Sequence, residues 1–168
     1  MTRKQNADNI IISLVIKTKS MPNSDENKTG TFSEFERKAM QERAKELREE
    51  AKNAKNRAKG EEALKNAISE MSQNDKSIAT RIHELVMSTA SELFPKTWYG
   101  MPAYANKDGK VICFFQAASK YQTRYSSFGF NDAANLDEGN MWPTSFAITK
   151  LTKAEEEKIV ELLKKAIS

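Results

Sequence analysis

The chain has 168 residues, enough for one domain of ordinary size with some sequence to spare, and 39% of them are hydrophobic, so a core can be filled. The net charge of +4, from 27 basic and 23 acidic side chains, is spread along the chain and gives no concentrated positive field, which sets nucleic acid aside as a partner. One cysteine, Cys113, and one histidine, His83, exclude an intrachain disulfide, a cysteine zinc site and a multi-histidine metal centre, and they suit a reducing cytosol.

The apolar run IIISLVI at 10–16 is too short to cross a bilayer, which takes about 20 residues. Asp8 stands ahead of it, Lys17 and Lys19 follow, and no small-x-small cleavage site comes after, so no signal peptide is read and a cytoplasmic protein is expected. Met21 is an alternative translation start to Met1. Residues 18–31 (TKSMPNSDENKTGT) carry no large apolar side chain except Met21, and 1–32 reads as a disordered leader and linker.

Residues 33–60 read as a charged helical extension. Ser33 and Glu36 form a capping box, strong helix formers run to Ala58, and Gly60 ends the run. Met40, Leu47 and Ala54 recur at heptad spacing, as do Ala44, Ala51 and Ala58. This narrow stripe fits a solvated, charge-laced helix. It also fits a seam for self-association or for a partner helix through 33–58.

The domain proper is expected over 61–168. A short helix at 61–71 precedes an amphipathic helix at 75–94, whose Ile78, Ile82, Leu85, Val86, Thr89 and Leu93 share a face and which Pro95 stops. A first strand is expected at 100–105, where Pro102 marks an edge or a bulge. Asp108-Gly109 signals a turn. The unbroken apolar run VICFFQA (111–117) reads as a central strand covered on both faces. TRYSSFGF (123–130) is a third strand, 131–140 a polar loop or short helix, and 143–148 a shorter fourth strand. The closing helix at 151–167 starts on a Thr152/Glu155 capping box and turns Ile159, Leu162, Leu163, Ala166 and Ile167 inward. The result is an α+β fold: two layers, a mainly antiparallel four- to five-stranded sheet packed by two amphipathic helices.

Twelve of the fourteen aromatic residues lie between Phe94 and Phe146. The segment TWYGMPAY (97–104) is the densest of them. Strand alternation would put Trp98, Gly100, Pro102 and Tyr104 on one side and Tyr99, Met101 and Ala103 on the other. These residues fit a core. They also fit a concave small-molecule site in which Trp98, Tyr99, Met101, Pro102, Tyr104 and Trp142 form the walls and Gly100 lets a ligand approach closely. Lys120 and Arg124 would hold an anionic group there. For a metal, the candidate ligands are Asp132, Asp137 and Glu138, hard oxygen donors in one loop. Glu84 and Glu92 stand about 12 Å apart along their helix and cannot share an ion. Glu155, Glu156 and Glu157 are explained by the positive end of the last helix. Nothing supplies a nucleophile with its base or a phosphate loop, so a non-enzymatic binding protein is expected.

TWYGMPAY, VICFFQ, YSSFGF and NMWP followed by the closing amphipathic helix together resemble the YdhG-like domain, a bacterial family of unknown function grouped with frataxin-type intracellular iron chaperones. The resemblance covers 64–167. It implies a compact α+β fold with an antiparallel sheet, and an iron-carrying role with iron as the ligand.

Overall fold

The structure is a computed structural model that describes residues 33–53 and 57–168; the readings for 1–32, including Met1 against Met21, and for Ala54 lie outside the described residues. Among the described residues, five helices and five strands follow in the order α1 (Glu34–Asn53), α2 (Arg57–Ser69), α3 (Gln73–Thr89), β1 (Phe94–Trp98), β2 (Met101–Ala105), β3 (Val111–Gln116), α4 (Ala118–Tyr121), β4 (Ser126–Phe130), β5 (Ser145–Ile148) and α5 (Lys153–Ile167). The strands form one antiparallel meander in chain order. The fold is α+β, and residues Glu34–Ser168 make one compact unit.

The core lies between one face of the sheet and three helices. Leu64 and Ile68 come from α2, Ile78, Ile82, Leu85 and Val86 from α3, and Ile159, Leu163 and Ala166 from α5. They pack on Tyr104, Cys113, Phe115, Phe128 and Phe130 of the sheet. Of the positions expected to face inward, Ile78, Ile82, Leu85 and Val86 of α3 and Ile159, Leu163 and Ala166 of α5 are buried, because each helix needs an apolar stripe to cover the sheet; Thr89, Leu162 and Ile167 are half-buried, and Leu93 is buried but lies beyond the end of α3. Ser72 caps α3 by accepting from the Asp75 amide, and the Thr152/Glu155 capping box opens α5 as expected.

Three boundaries differ from the sequence reading. Gly60 does not end a helix: it sits inside α2, so the division at 60/61 falls within an element. A Cβ there would lie 2.2 Å from the Pro95 carbonyl oxygen, so the glycine lets α2 ride directly on β1. Pro95 does not stop α3, which ends at Thr89; it lies within β1, an edge strand that precedes the first one expected. Pro102 lies on β2, which is flanked by β1 and β3 and is not an edge. The β2–β3 ladder starts at Ala103, one residue beyond the proline, and the bulge is at Tyr104/Ala105.

Candidate functional site

Trp98, Tyr104 and Trp142 do not line one cavity. Trp98 pairs with Met101 across the β1–β2 hairpin, and Met101 and Tyr104, three residues apart on one strand, face opposite sides of the sheet. Tyr104 is therefore turned to the helices, wholly buried, with its hydroxyl 3.2 Å from Nδ1 of His83. Trp98 lies on the other face, 4% exposed, against Tyr99 and Phe114 at ring-centroid distances of 5.1 and 5.2 Å. Trp142 packs on the main core just before β5, at the opposite edge of the sheet from β1. Met101 and Pro102 are buried. The cause is a two-residue turn that continuous strand alternation overlooks. Tyr99 and Gly100 have φ of 52° and 69°, both left-handed, which is the type I′ geometry that reverses a hairpin.

Two surface depressions, of about 280 and 390 Å³, lie elsewhere. The first is bounded by Leu93, Ile112, Asn135 and Ala166, and the second by Leu85, Glu156, Val160 and Lys164. Neither takes a residue expected to bind a ligand. Among the described residues no buried side-chain nitrogen or oxygen lacks a partner, so none asks for a ligand to satisfy it.

Asp132, Asp137 and Glu138 are exposed, and Glu138 pairs with Lys165 at 3.3 Å. No group of three His, Cys, Asp or Glu side chains able to hold a metal forms among the described residues. The loop carrying these three carboxylates is instead pinned to the domain: the Asn131 amide donates to Ile112, the Asn135 amide donates to Ala166, and Ala134 and Leu136 are buried.

What the structure does bring together is the Tyr99-Gly100 turn, Lys120, and one face of the charged helix α1. Glu46, only 8% exposed, accepts the Tyr99 amide on Oε2 and the Gly100 amide on Oε1, each at 2.8 Å. Consecutive left-handed residues leave these two N–H groups aimed at one point, an anion-binding arrangement of backbone. Arg43 lies 3.5 Å from Glu46 and 5.4 Å from the centre of the Tyr99 ring. Lys120 donates to Glu42 at 3.0 Å and to the Gly100 carbonyl at 3.2 Å. Tyr121 donates its hydroxyl to the Tyr99 carbonyl at 3.0 Å. Burial pushes the Tyr121 phenol well above its usual range, with Glu42 and Glu46 adding to the effect, so it stays a donor. Gly100 is favoured by its left-handed φ, and a Cβ there would push aside the tips of the Lys120 and Glu42 side chains.

Tyr99, Gly100 and Lys120 thus come together around the α1 carboxylates, whereas Arg124 lies over the ring of the exposed Tyr125. Glu42, Arg43 and Glu46 are not singled out by the sequence. A glutamate in a Glu/Lys/Arg-rich helix looks like any other, and the amides that engage Glu46 lie more than fifty residues downstream. The arrangement that the domain offers to Glu46 and Glu42 is chemically a receptor for a carboxylate: the two turn amides and the Lys120 ammonium, with no nucleophile or acid–base pair. Cys113 is fully enclosed, and burial pushes its thiol far up. Desolvation lowers the pKa of His83; Glu61 opposes the shift and Lys65 adds to it, and the imidazole sits against Tyr104 in the core.

No family model, curated protein or solved structure matches the chain. Among the described residues no helix is long and apolar enough to cross a membrane.

Proposed function

We propose that the protein is a non-enzymatic binding protein whose ligand presents a carboxylate to the Tyr99-Gly100 turn beside Lys120. The observation that carries this reading is the two-amide clasp on Glu46, in which both carboxylate oxygens are engaged by backbone N–H groups. Hydrogen bonds to an ionised acceptor are about twice as strong as neutral ones, and a rigid turn presents its donors without reorganisation. The YdhG-like assignment belongs to the same proposal, supported by TWYGMPAY, VICFFQ, YSSFGF and NMWP and compatible with an antiparallel α+β fold. So does a cytoplasmic location, supported by a lone, buried cysteine.

The test is chemical rescue. In a Glu46→Ala chain the amide signals of Tyr99 and Gly100 are followed by nuclear magnetic resonance as acetate is added. Saturable shifts at these two amides, larger than elsewhere, are expected. Shifts that stay linear and spread over the surface would end the proposal. Iron delivery, implied by the family resemblance, has no grouping of carboxylates in its favour among the described residues. Anaerobic calorimetry with ferrous iron distinguishes the two: saturable heat with iron and none with acetate would reverse the preference.

A second reading rests on a different face of α1. Met40 and Leu47 are 38% and 49% exposed, which favours self-association through that stripe. Sedimentation velocity of the native and Leu47→Lys chains checks it: a dimer lost on substitution supports it, and a monomer in both removes it.

A further inference from the structure

The helix that fills the turn site is attached unlike any other long helix of the domain. Among the described side chains of α1 the one that is buried is Glu46, and none of these described side chains puts an apolar group in the core. Its hold on the domain includes Glu46 on the two turn amides, Glu42 on Lys120, Arg43 over Tyr99, and an edge-on contact of Phe35 with Tyr121 at 5.8 Å. Such polar contacts are exchanged for bonds to water at a modest net cost each, greater for bonds to a charged group, and the exposed ones weaken in salt, whereas apolar burial holds a helix down over its whole length. Glu42 and Glu46 also stand one helical turn apart, so that their carboxylates reach Lys120 and the turn together. The site thus already holds a ligand, supplied in cis, with two acidic groups.

We infer that α1 is a displaceable strap: Glu42 and Glu46 occupy a two-carboxylate site on the domain, and a ligand bearing two such groups binds by displacing the helix. The strap rests on the carboxylate-binding reading and adds regulation to it. Because it is tethered, its carboxylates act at an effective concentration of about millimolar, which a free ligand must overcome. A ligand with one carboxylate replaces half of the contacts and competes poorly; one with two replaces both.

Glutarate is the probe, with the full chain and its Glu42→Ala/Glu46→Ala variant compared. The variant, whose strap has lost both acidic groups, is expected to bind glutarate about tenfold more tightly or better, a difference of one decade in Kd. In the native chain, glutarate is expected to raise amide hydrogen exchange over 34–48 and leave α3 and α5 unchanged. Equal affinity in the two chains, or binding with no change in exchange over 34–48, overturns the strap while leaving the carboxylate reading intact. Absence of glutarate and acetate binding in every chain overturns both. If the double variant folds poorly, Glu42→Ala alone serves: a smaller gain in affinity is expected, and no gain overturns the strap.

Discussion

Helices α1 and α5 differ in what they bury and in what they have to bury: α5 carries five large aliphatic side chains in 15 residues, α1 only Phe35, Met40 and Leu47 as large apolar ones in 20. Both are rich in Glu and Lys. Helix α5 turns Ile159, Leu163 and Ala166 into the core, while α1 turns a glutamate towards a pair of backbone amides and leaves Met40 and Leu47 outside. One helix is part of the fold's foundation and the other is fastened by ionic and hydrogen-bonded contacts. The difference separates the layer that determines stability from the element able to move.

The sharpest way to break this contrast is one chemical change made in both regions. Leu163→Ala, at a wholly buried position, should cost about 3 kcal/mol in urea unfolding, from lost transfer energy and the cavity left behind. Leu47→Ala should change stability by no more than about 0.5 kcal/mol. Comparable losses at the two sites would place α1 in the core and contradict the distinction.

The next effect comes from a carboxylate that, unlike Glu46, is locked in the domain. Asp75 at the start of α3 is buried and accepts bonds from Ser72, from the amide and hydroxyl of Ser119, and from Ser126. Burial alone would raise its pKa, but the bonds from Ser119, Ser126 and Ser72 outweigh it and hold the group at about 2, below the ordinary 3.8. A folded-state pKa below the unfolded one contributes stability that is complete above pH 3.8 and disappears as pH falls towards 2. The shift corresponds to about 2 kcal/mol. Urea midpoints measured from pH 5 down to 2 should show a steeper fall in the native chain than in Asp75→Asn. His83, whose pKa burial lowers, adds an earlier and shallower loss: its neutral form is favoured in the folded chain, so its contribution is complete above about 6.5 and declines below.

Gly60→Ala gives a smaller effect with an unusual sign. Alanine in a helix interior ordinarily stabilises by about 1 kcal/mol over glycine. Here the added Cβ meets the carbonyl oxygen of Pro95, rigid strand backbone, at 2.2 Å. Separating α2 from β1 should outweigh the propensity gain and leave a net loss of about 1 kcal/mol in thermal or urea unfolding. A stabilised variant would show that α2 can shift without cost.

How much of this is legible in the sequence follows from the range of each signal. The apolar faces of α3 and α5, the cap of α5, and the Asp108-Gly109 turn are local patterns, and a few neighbouring residues suffice to read them. Strand β1 is hidden because TWYGMPAY reads as one alternating strand. Only the left-handed pair Tyr99-Gly100 reveals two strands meeting, and a tyrosine is not the usual marker of such a turn. That one misplaced reversal puts Trp98 and Tyr104 on the same face and suggests a shared aromatic cavity, whereas in the structure the two rings face opposite sides of the sheet. Glu46 is not legible by any local rule, since its importance is set by the distant turn it meets.

The smallest effect concerns α1 alone. Raising ionic strength shortens the Debye length from about 8 Å at physiological salt to about 3 Å at 1 M. The contact between Lys120 and Glu42, each about a third exposed, is screened, whereas the bonds of buried Glu46 to the turn amides are screened much less. The apolar contacts of α2, α3 and α5 are not loosened by the same change, because their strength does not depend on charge. Amide hydrogen exchange at 1 M sodium chloride should therefore accelerate over 34–48 and stay unchanged at Ile82, Leu85 and Leu163, while the urea midpoint of the domain does not fall. Uniform exchange across both regions would mean that α1 opens only when the domain unfolds, and the fastened helix would then be as much foundation as α5.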